Sequence, residues 1–270
     1  MVFMECLLYF CGFLCFFPIT FVMLMTMYNA VTTMDSTTTG IKALGEAMGG
    51  RIRPGSLVII EGESGSGKSI LTEHLAYGAL LFGSQVAYYT TEKSSDEMIY
   101  QMESFSMPVR HETITDRLRV YSVRAINNIE DTLGALKSVM GHIASVPQRF
   151  NTVVLDCLTP FLNTVKPSDK LDLFLNFKEI CGGKRSIILV VHSHLLEKSN
   201  RSRVFSMSDY YLKISTSNRI ISSGMIDERS LKALEICKLN RVEMQNAETI
   251  EFEIKPRVGI QILPFCKVKI

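Results

Sequence analysis

The sequence carries little net charge, so it lacks the basic excess of proteins that bind polyanions mainly through charge. Its 270 residues include 29 Lys and Arg against 27 Asp and Glu, a formal net charge of +2. Binding to nucleic acid or to an acidic membrane surface usually requires a marked basic patch or excess. The composition gives no reason to expect either partner, and nucleic acid is not an expected ligand.

The sequence also lacks any Cys-x-x-Cys pair among its seven cysteines. Four cysteines stand far apart, which argues against a zinc site and predicts reduced thiols, mostly in the core, of a cytosolic protein. These four are Cys157, Cys181, Cys237 and Cys266. The other three lie in an apolar segment without histidine, where no metal site is expected; they are Cys6, Cys11 and Cys15.

Charge is absent altogether from the segment between Cys6 and Met34. Within it, Cys6–Tyr28 is long enough to cross a bilayer as a helix. The first positive charges after it begin at Lys42, which favours a cytoplasmic main domain. Alternatively, the gene start is placed too early, because Met34 opens the polar segment MDSTTTG. Residues 1–34 are therefore interpreted as a membrane anchor or an over-extended start, and residues 35–270 as the folded domain.

After residue 35 the chain alternates strand-like and helix-like segments, which predicts an α/β fold with a mainly parallel sheet and helices on both faces. The predicted strands are Ser56–Gly62, Gln85–Thr91, Leu118–Val123, Thr152–Cys157 and Ser186–His192, and the predicted helices are Lys68–Phe82, Ser95–Phe105, Ile129–Ser145 and Leu171–Cys181. From about Asn218 the pattern is β throughout, which predicts C-terminal antiparallel strands that extend the sheet. These are Leu231–Leu239, Thr249–Ile254 and Gly259–Phe265. No internal repeat or long linker follows residue 40, so the folded part is one domain.

A phosphate-binding loop follows the first buried strand. Its residues match G-x-x-x-x-G-K-[ST] and open a helical segment, the context that a P-loop requires. They are Gly62, Glu63, Ser64, Gly65, Ser66, Gly67, Lys68 and Ser69. The glycines let backbone N–H groups point at a phosphate, Lys68 places its ammonium between the β- and γ-phosphates, and the Ser69 hydroxyl can coordinate Mg²⁺. The motif predicts ATP and Mg²⁺ as ligands.

Two carboxylates follow other buried strands. Asp156 ends TVVLD, the position of a Walker-B aspartate that orients Mg²⁺; it could instead only cap the next loop. Glu92 follows the strand after the P-loop helix, at the edge of the sheet where a nucleotide lies. There it could activate a water that attacks the γ-phosphate, or it could be a surface carboxylate paired with Lys93.

Two further pairs have open roles. His192 and His194 close a strand, but a metal site there needs a third ligand, and nothing nearby in the sequence supplies one. A sensor of the γ-phosphate and a purely structural role both fit these histidines. Lys238 and Arg241 lie at the end of a predicted strand and could reach the nucleotide of a neighbouring subunit in a homo-oligomer, or could be a solvated charge pair.

The opening run TTGIKALGEAMGGRIRPGSLVIIEGESGSGKS, the strand end YYTTE and the closing FEIKPRVGIQILPF resemble the RecA-like ATPases of the KaiC family. Within that group the chain looks most like the archaellum accessory ATPase family, FlaH, over about residues 38–270. The resemblance implies a cytoplasmic ATP-binding regulator, peripheral to the membrane, with weak hydrolysis. It also implies two partners, the motor ATPase FlaI and the membrane platform FlaJ.

Carried over by position, the resemblance assigns Lys68 and Ser69 to the P-loop, Asp156 to the Walker-B position and Glu92 to the water-activating position. Two features depart from the family. KaiC-like proteins tend to have K-x-R-G where this chain has KLNR at residues 238–241, so a finger role is in doubt. The apolar leader has no counterpart, which favours an over-extended start.

A RecA- or RadA-type recombinase, a DNA-dependent ATPase with the same core, is the alternative from another class. Such proteins need basic DNA-binding loops after the Walker-B strand and the next strand. The segment LTPFLNTVKPSDK is short and mildly basic, whereas LLEKSNRSRVFS is more basic and keeps this alternative open. A KaiC-like ATPase unrelated to motility is the remaining alternative.

Overall fold

The computed structural model describes residues 41–48, 50, 52–123, 129–166, 169–195, 198–217 and 231–263. The apolar leader predicted at residues 1–34 lies outside these residues, and so do residues 218–230. In the part of the chain that is described, no helix is both long and apolar enough to cross a membrane.

Nine strands of the described residues form one sheet. They are β1 (Leu57–Gly62), β2 (Val86–Thr90), β3 (Leu118–Ser122), β4 (Thr152–Asp156), β5 (Ser186–His192), β6 (Tyr210–Ser217), β7 (Leu231–Leu239), β8 (Val242–Lys255) and β9 (Gly259–Ile262). Their order is β3-β2-β4-β5-β1-β6-β7-β8-β9. The pairs from β3 to β6 are parallel and those from β6 to β9 are antiparallel, which confirms the predicted extension of the sheet.

Helices cover both faces of this sheet, as predicted. They span Lys42–Ala47, Lys68–Leu81, Ser95–Ser104, Arg110–Ile114, Ile129–Ser145, Thr159–Leu162, Lys170–Ile180 and Lys198–Met207, with a 3-10 turn at Ser193–Leu195. In β1, Val58 and Ile60 pack on one face with the helix Lys68–Leu81, while Leu57 and Ile59 pack on the other. Each buried side chain of this size contributes roughly 1.5–3 kcal/mol. A strand buried on both faces must be apolar throughout, which explains why the sequence pattern identified it.

Two elements near the end of the parallel sheet differ from the expectation. The segment read as a basic loop is mostly helix, Lys198–Met207, whose sequence KSNRSRVFSM is polar and buries only a few side chains, Val204 among them. Strand β6 was missed, because its second half, with exposed Lys213 and Ser215, resembles a loop. Both elements were not recognised in the sequence because their residues are locally polar. Strand β8 is also longer than the predicted Thr249–Ile254.

Candidate functional site

The P-loop joins β1 to the helix Lys68–Leu81. Gly65 and Gly67 have φ values of 70° and 100°, in the left-handed region that glycine adopts without strain. A Cβ at Gly67 would lie 2.8 Å from Cδ1 of Ile254, so the loop also packs closely against β8. No side-chain hydrogen bond caps the helix at Gly67. Because the first N–H groups of a helix have no partner within it, this end offers donors and a partial positive charge to an anion.

Lys68 is the only cation within the loop, and its side chain is buried. Its Nζ donates a hydrogen bond to the carbonyl oxygen of Glu63 at 2.6 Å, within the same loop. Burial lowers the pKa of Lys68, while the nearby Cys157, Asp156 and Glu92 act in the opposite direction. The ammonium is therefore held at the mouth of the loop by a contact that a phosphate oxygen can replace.

Asp156 lies beside the P-loop, as predicted. Its Oδ1 accepts a hydrogen bond from Ser69 Oγ at 3.2 Å, and its Oδ2 accepts one from the Tyr88 hydroxyl at 2.9 Å. Burial raises the pKa of this carboxyl group, and the two hydrogen bonds oppose the shift. A hydroxyl and a carboxylate oxygen in contact are the hard ligands that Mg²⁺ prefers. The residues thus fit a magnesium ion at the Ser69–Asp156 pair.

One cleft of about 260 Å³ brings the predicted site residues together. Its walls include Lys68 and Ser69 from the loop, Asp156 and His192 at the ends of β4 and β5, and Glu92 beyond the end of β2. Glu92 is exposed to solvent. The cleft lies at the carboxyl ends of parallel strands, where α/β sheets bind ligands. The P-loop lysine and serine, the two predicted carboxylates and His192 therefore meet at this edge of the sheet.

A buried carboxylate next to this cleft was not anticipated. Glu73, on the P-loop helix, is 1% exposed. Gln101 Nε2 donates to both of its carboxylate oxygens, at 2.8 and 3.1 Å, and Lys93 Nζ lies 3.4 Å away. Burial raises the pKa of Glu73 to about 7. A glutamate in a helix usually reads as a surface residue, and only its apolar flanks Leu71 and Leu75 hinted at burial.

We expected no further metal ligand near the histidines, because none is close to them in the sequence. This expectation was wrong, because the fold brings residues from other strand ends next to His192. The rings of His192 and His194 lie 5.7 Å apart. His192 also has Glu92 and Cys157 beside it, with one ligand atom of each lying within 4.8 Å of the others. Burial lowers the pKa of His192, and Lys68 and His194 lower it further. These effects favour the neutral form of the imidazole.

Lys238 and Arg241 lie at the other edge of the sheet, and their contacts are within the chain. Lys238 Nζ donates to the carbonyl oxygens of Phe205 and Ser206, both at 2.8 Å. Arg241 Nε donates to Asp209 Oδ1 at 2.6 Å. The parallel strand β1 separates this edge from the P-loop by about 17 Å. Within one chain, neither cation belongs to the cleft.

One cation of the basic segment that kept a nucleic-acid role open, Arg201, makes contacts within the chain. Arg201 donates to the carbonyl oxygen of Ser193 at 2.6 Å and lies 3.2 Å from Glu61. It therefore stabilises the turn after β5, whereas a cation that contacts phosphates along a nucleic acid projects from a loop into solvent.

Comparisons with known proteins agree with this geometry. The family model described as "ATPase: KaiC" matches residues 37–266. The archaeal flagellar ATP-binding protein FlaH of Methanocaldococcus jannaschii is 30% identical over 224 residues, which are 81% of this chain and 91% of that protein. The crystal structure of flagellar accessory protein FlaH from the same organism superposes with a TM-score of 0.66 at 26% identity, covering 83% of this chain and 96% of that one. This likeness confirms the predicted RecA-like fold.

A relative with another name matches a shorter segment. The DNA repair and recombination protein RadB of Thermococcus onnurineus is 31% identical over 122 residues, which are 45% of this chain and 50% of that protein.

Proposed function

The chain belongs to the KaiC family of ATPases and, within it, to the FlaH proteins, and on that basis we propose that it is an ATP-binding regulatory subunit of the archaellum motor. In this role it acts as an ATP-dependent switch with weak hydrolysis, in the cytoplasm and peripheral to the membrane. Its partners are the motor ATPase FlaI and the membrane platform FlaJ. A homo-oligomer is compatible with this role.

The observation that carries the proposal is the assembled nucleotide cleft. The P-loop places Lys68 beside an uncapped helix start, and Ser69 contacts Asp156 at 3.2 Å. In the bound state Lys68 and the loop N–H groups would hold the phosphates, and Ser69 and Asp156 would hold Mg²⁺. The nucleotide and its metal supply the negative charge and the γ-phosphate to which the surrounding side chains respond.

The switch depends on side chains that can sense the γ-phosphate. His192 and Glu92 line the cleft beyond Lys68, at the ends of two strands. Glu92 would orient or deprotonate a water, and His192 would donate to or accept from the groups beside it. Because both residues precede surface segments, a change in their contacts can alter a docking surface. A nucleotide changes partner affinity only by its differential affinity for the two states of that surface.

Partner affinity in different nucleotide states tests the proposal. The full chain is titrated with FlaI in the presence of Mg-ATP, Mg-ADP and no nucleotide. A coupling of about 1–3 kcal/mol predicts a roughly 5- to 150-fold difference between the ATP and ADP states. The Lys68→Ala variant is the control and should show one affinity throughout. Equal wild-type affinities in all three conditions would exclude the switch.

The similarity to RadB favours one second candidate, a DNA-dependent ATPase. Binding to single-stranded DNA with an affinity that falls steeply with salt would support it. The near-neutral composition and the internal contacts of Arg201 favour the first proposal. We therefore expect no DNA binding in 150 mM salt and no stimulation of hydrolysis by DNA.

A further inference from the structure

Three side chains from separate strand ends converge at the outer end of the cleft. Glu92 follows β2, Cys157 follows β4, and His192 ends β5. A carboxylate oxygen, the sulfur and a ring nitrogen of these residues all lie within 4.8 Å of one another. We propose that Glu92, Cys157 and His192 form a binding site for a borderline-soft divalent cation, Zn²⁺ being the physiological candidate, separate from the magnesium ligands.

The ligand set distinguishes this cation from magnesium. Mg²⁺ takes oxygen ligands, whereas Zn²⁺ combines thiolate, imidazole and carboxylate and often binds three protein ligands with an open fourth position. Ligand atoms around a tetrahedral zinc lie about 3.3–3.8 Å apart, given bonds of about 2.0–2.3 Å. Since the three atoms lie within 4.8 Å of one another, binding requires them to approach by at most about 1–1.5 Å. Glu92 is exposed and can supply that movement by rotating its side chain.

Hydrogen bonds already join the backbone segments that carry the three ligands. The hydroxyl of Thr91, next to Glu92, accepts from the Cys157 N–H at 3.0 Å and donates to the Cys157 carbonyl oxygen at 3.2 Å. Thr159 joins the other two, because its N–H donates to Cys157 Sγ at 3.3 Å and its hydroxyl accepts from the His192 N–H at 3.1 Å. The Thr159 N–H contact to the sulfur orients a metal ligand directly, and such outer contacts raise metal affinity.

The proposed site is distinct from the Ser69–Asp156 pair. Both carboxylate oxygens of Asp156 accept hydrogen bonds, from Ser69 and Tyr88, and Asp156 is not one of the three converging ligands. A zinc ion bound to Glu92 would prevent this carboxylate from activating water. Zinc would then slow hydrolysis while leaving the magnesium ligands in place; this consequence, though not the site itself, rests on the proposed ATP-binding function.

Cobalt substitution tests the site, because Co²⁺ bound to a thiolate shows a sulfur-to-cobalt charge-transfer band. The full chain is titrated with Co²⁺, and bound cobalt is then displaced with Zn²⁺. We expect the band in the wild type and its loss in Cys157→Ser. His192→Asn and Glu92→Gln should each weaken cobalt binding by roughly 100-fold or more, since losing an outer contact alone costs about 10–100-fold. Cys237→Ser, a half-buried thiol in β7, is the matched control and should behave as the wild type.

The variants also separate this site from the other thiols and from misfolding. Glu92 is exposed, so Glu92→Gln cannot disturb the core, and a change in its cobalt affinity reports on ligation. An unchanged band in Cys157→Ser, or wild-type cobalt affinity in both His192→Asn and Glu92→Gln, would overturn the proposal.

Mg-ATP affinity, measured on the same samples, separates the metal site from the proposed function. Mg-ATP binding without a thiolate band would overturn the metal site and leave the function standing. A band that depends on Cys157, together with no Mg-ATP binding, would support the metal site and contradict the function.

Discussion

The two edges of the parallel sheet both carry buried or half-buried charged groups, but they use them differently. At the amino-terminal edge, Asp209 accepts hydrogen bonds from the Leu57 N–H at 2.8 Å and from Arg241 at 2.6 Å, and it also pairs with Lys178. At the carboxyl-terminal edge, the P-loop helix starts without a side-chain cap and Glu92 faces solvent. At the amino-terminal edge the charged groups have hydrogen-bond partners within the chain, whereas the carboxyl-terminal edge presents donors and a carboxylate to a ligand.

This difference shows that charge alone does not identify a site. Asp209 and Asp156 are both buried carboxylates next to cations or hydroxyls. Hydrogen bonds from Lys178, Arg241 and Leu57 hold the pKa of Asp209 below its usual value despite burial. The pKa of Asp156 is raised instead, because burial outweighs its hydrogen bonds from Tyr88 and Ser69. Asp209 is paired with two cations within the chain, whereas the Asp156 carboxylate has, among the described residues, only hydroxyl donors as hydrogen-bond partners at the edge that carries the P-loop.

The largest expected effect is the loss of ATP affinity in Lys68→Ala. Removing one partner of a buried charged contact costs about 2–5 kcal/mol, which corresponds to roughly 30-fold or more in affinity. The fold should be retained, because the Lys68 side chain contacts a loop carbonyl and not the core. Calorimetric titration with Mg-ATP measures the loss. An unchanged affinity would contradict the P-loop assignment.

The converse variant, Asp209→Asn, should lower stability and leave ATP affinity unchanged. The substitution removes charge-assisted bonds from a buried group, at a cost of about 1–3 kcal/mol. Most of that cost comes from Lys178 and Leu57, because the Arg241 side chain is 73% exposed and screened by water. Thermal unfolding gives the stability, and the same titration gives the affinity. A loss of ATP affinity in Asp209→Asn would contradict the difference between the two edges.

Glu73 is buried, as Asp209 is, but it lies next to the nucleotide cleft. Its raised pKa leads us to predict that stability depends on pH. Its folded pKa of about 7 is above the value in the unfolded chain. The folded state therefore binds more protons, so its contribution to stability falls as pH rises from about 4.5 to 7 and then levels off. In Glu73→Gln, the midpoint of thermal unfolding should change less with pH between pH 5 and 8 than it does in the wild type. Glu179→Gln, at an exposed position, is the control and should keep the wild-type pH dependence. If the midpoint of Glu73→Gln depends on pH as strongly as that of the wild type, Glu73 is not the source of the pH dependence.

The smallest expected effect is that of Glu92→Gln. The exposed carboxylate contributes nothing to the core, so neither stability nor Mg-ATP affinity should change. Hydrolysis should fall, because the substitution removes a base while keeping shape and hydrogen bonding. Steady-state phosphate release measures it. If wild-type turnover is already at background, the variant will be silent, in agreement with a sensor; an equal loss of binding and turnover would indicate a structural role.

Local sequence patterns predicted the elements that carry the nucleotide cleft. Strands such as β1 and β5 are buried on both faces, so their apolar runs are visible without tertiary information. The P-loop spacing then located Lys68 and Ser69, and the strand ends located Asp156 and Glu92. Their convergence followed from the rule that carboxyl ends of parallel strands share one edge.

The features that the sequence missed depend on contacts between distant segments. Strand β6 is stabilised by pairing with β1 and β7, although its own residues resemble a loop. The burial of Glu73 requires Gln101 from another helix, and the approach of Cys157 to His192 requires the order of β4 and β5 in the sheet. No local periodicity encodes these neighbours.

Amide hydrogen exchange of the full-length wild type, with and without saturating Mg-ATP, tests the contrast between the two edges most directly. We predict slower exchange in the ATP state for the amides of residues 65–70 and 92–94. The amides of Leu57, Asp209 and Arg241 should exchange at the same rate in both states, because their hydrogen bonds are made by the chain itself. Unchanged exchange at residues 65–70, or equal protection at both edges, would contradict the assignment of the carboxyl-terminal edge as the ATP site.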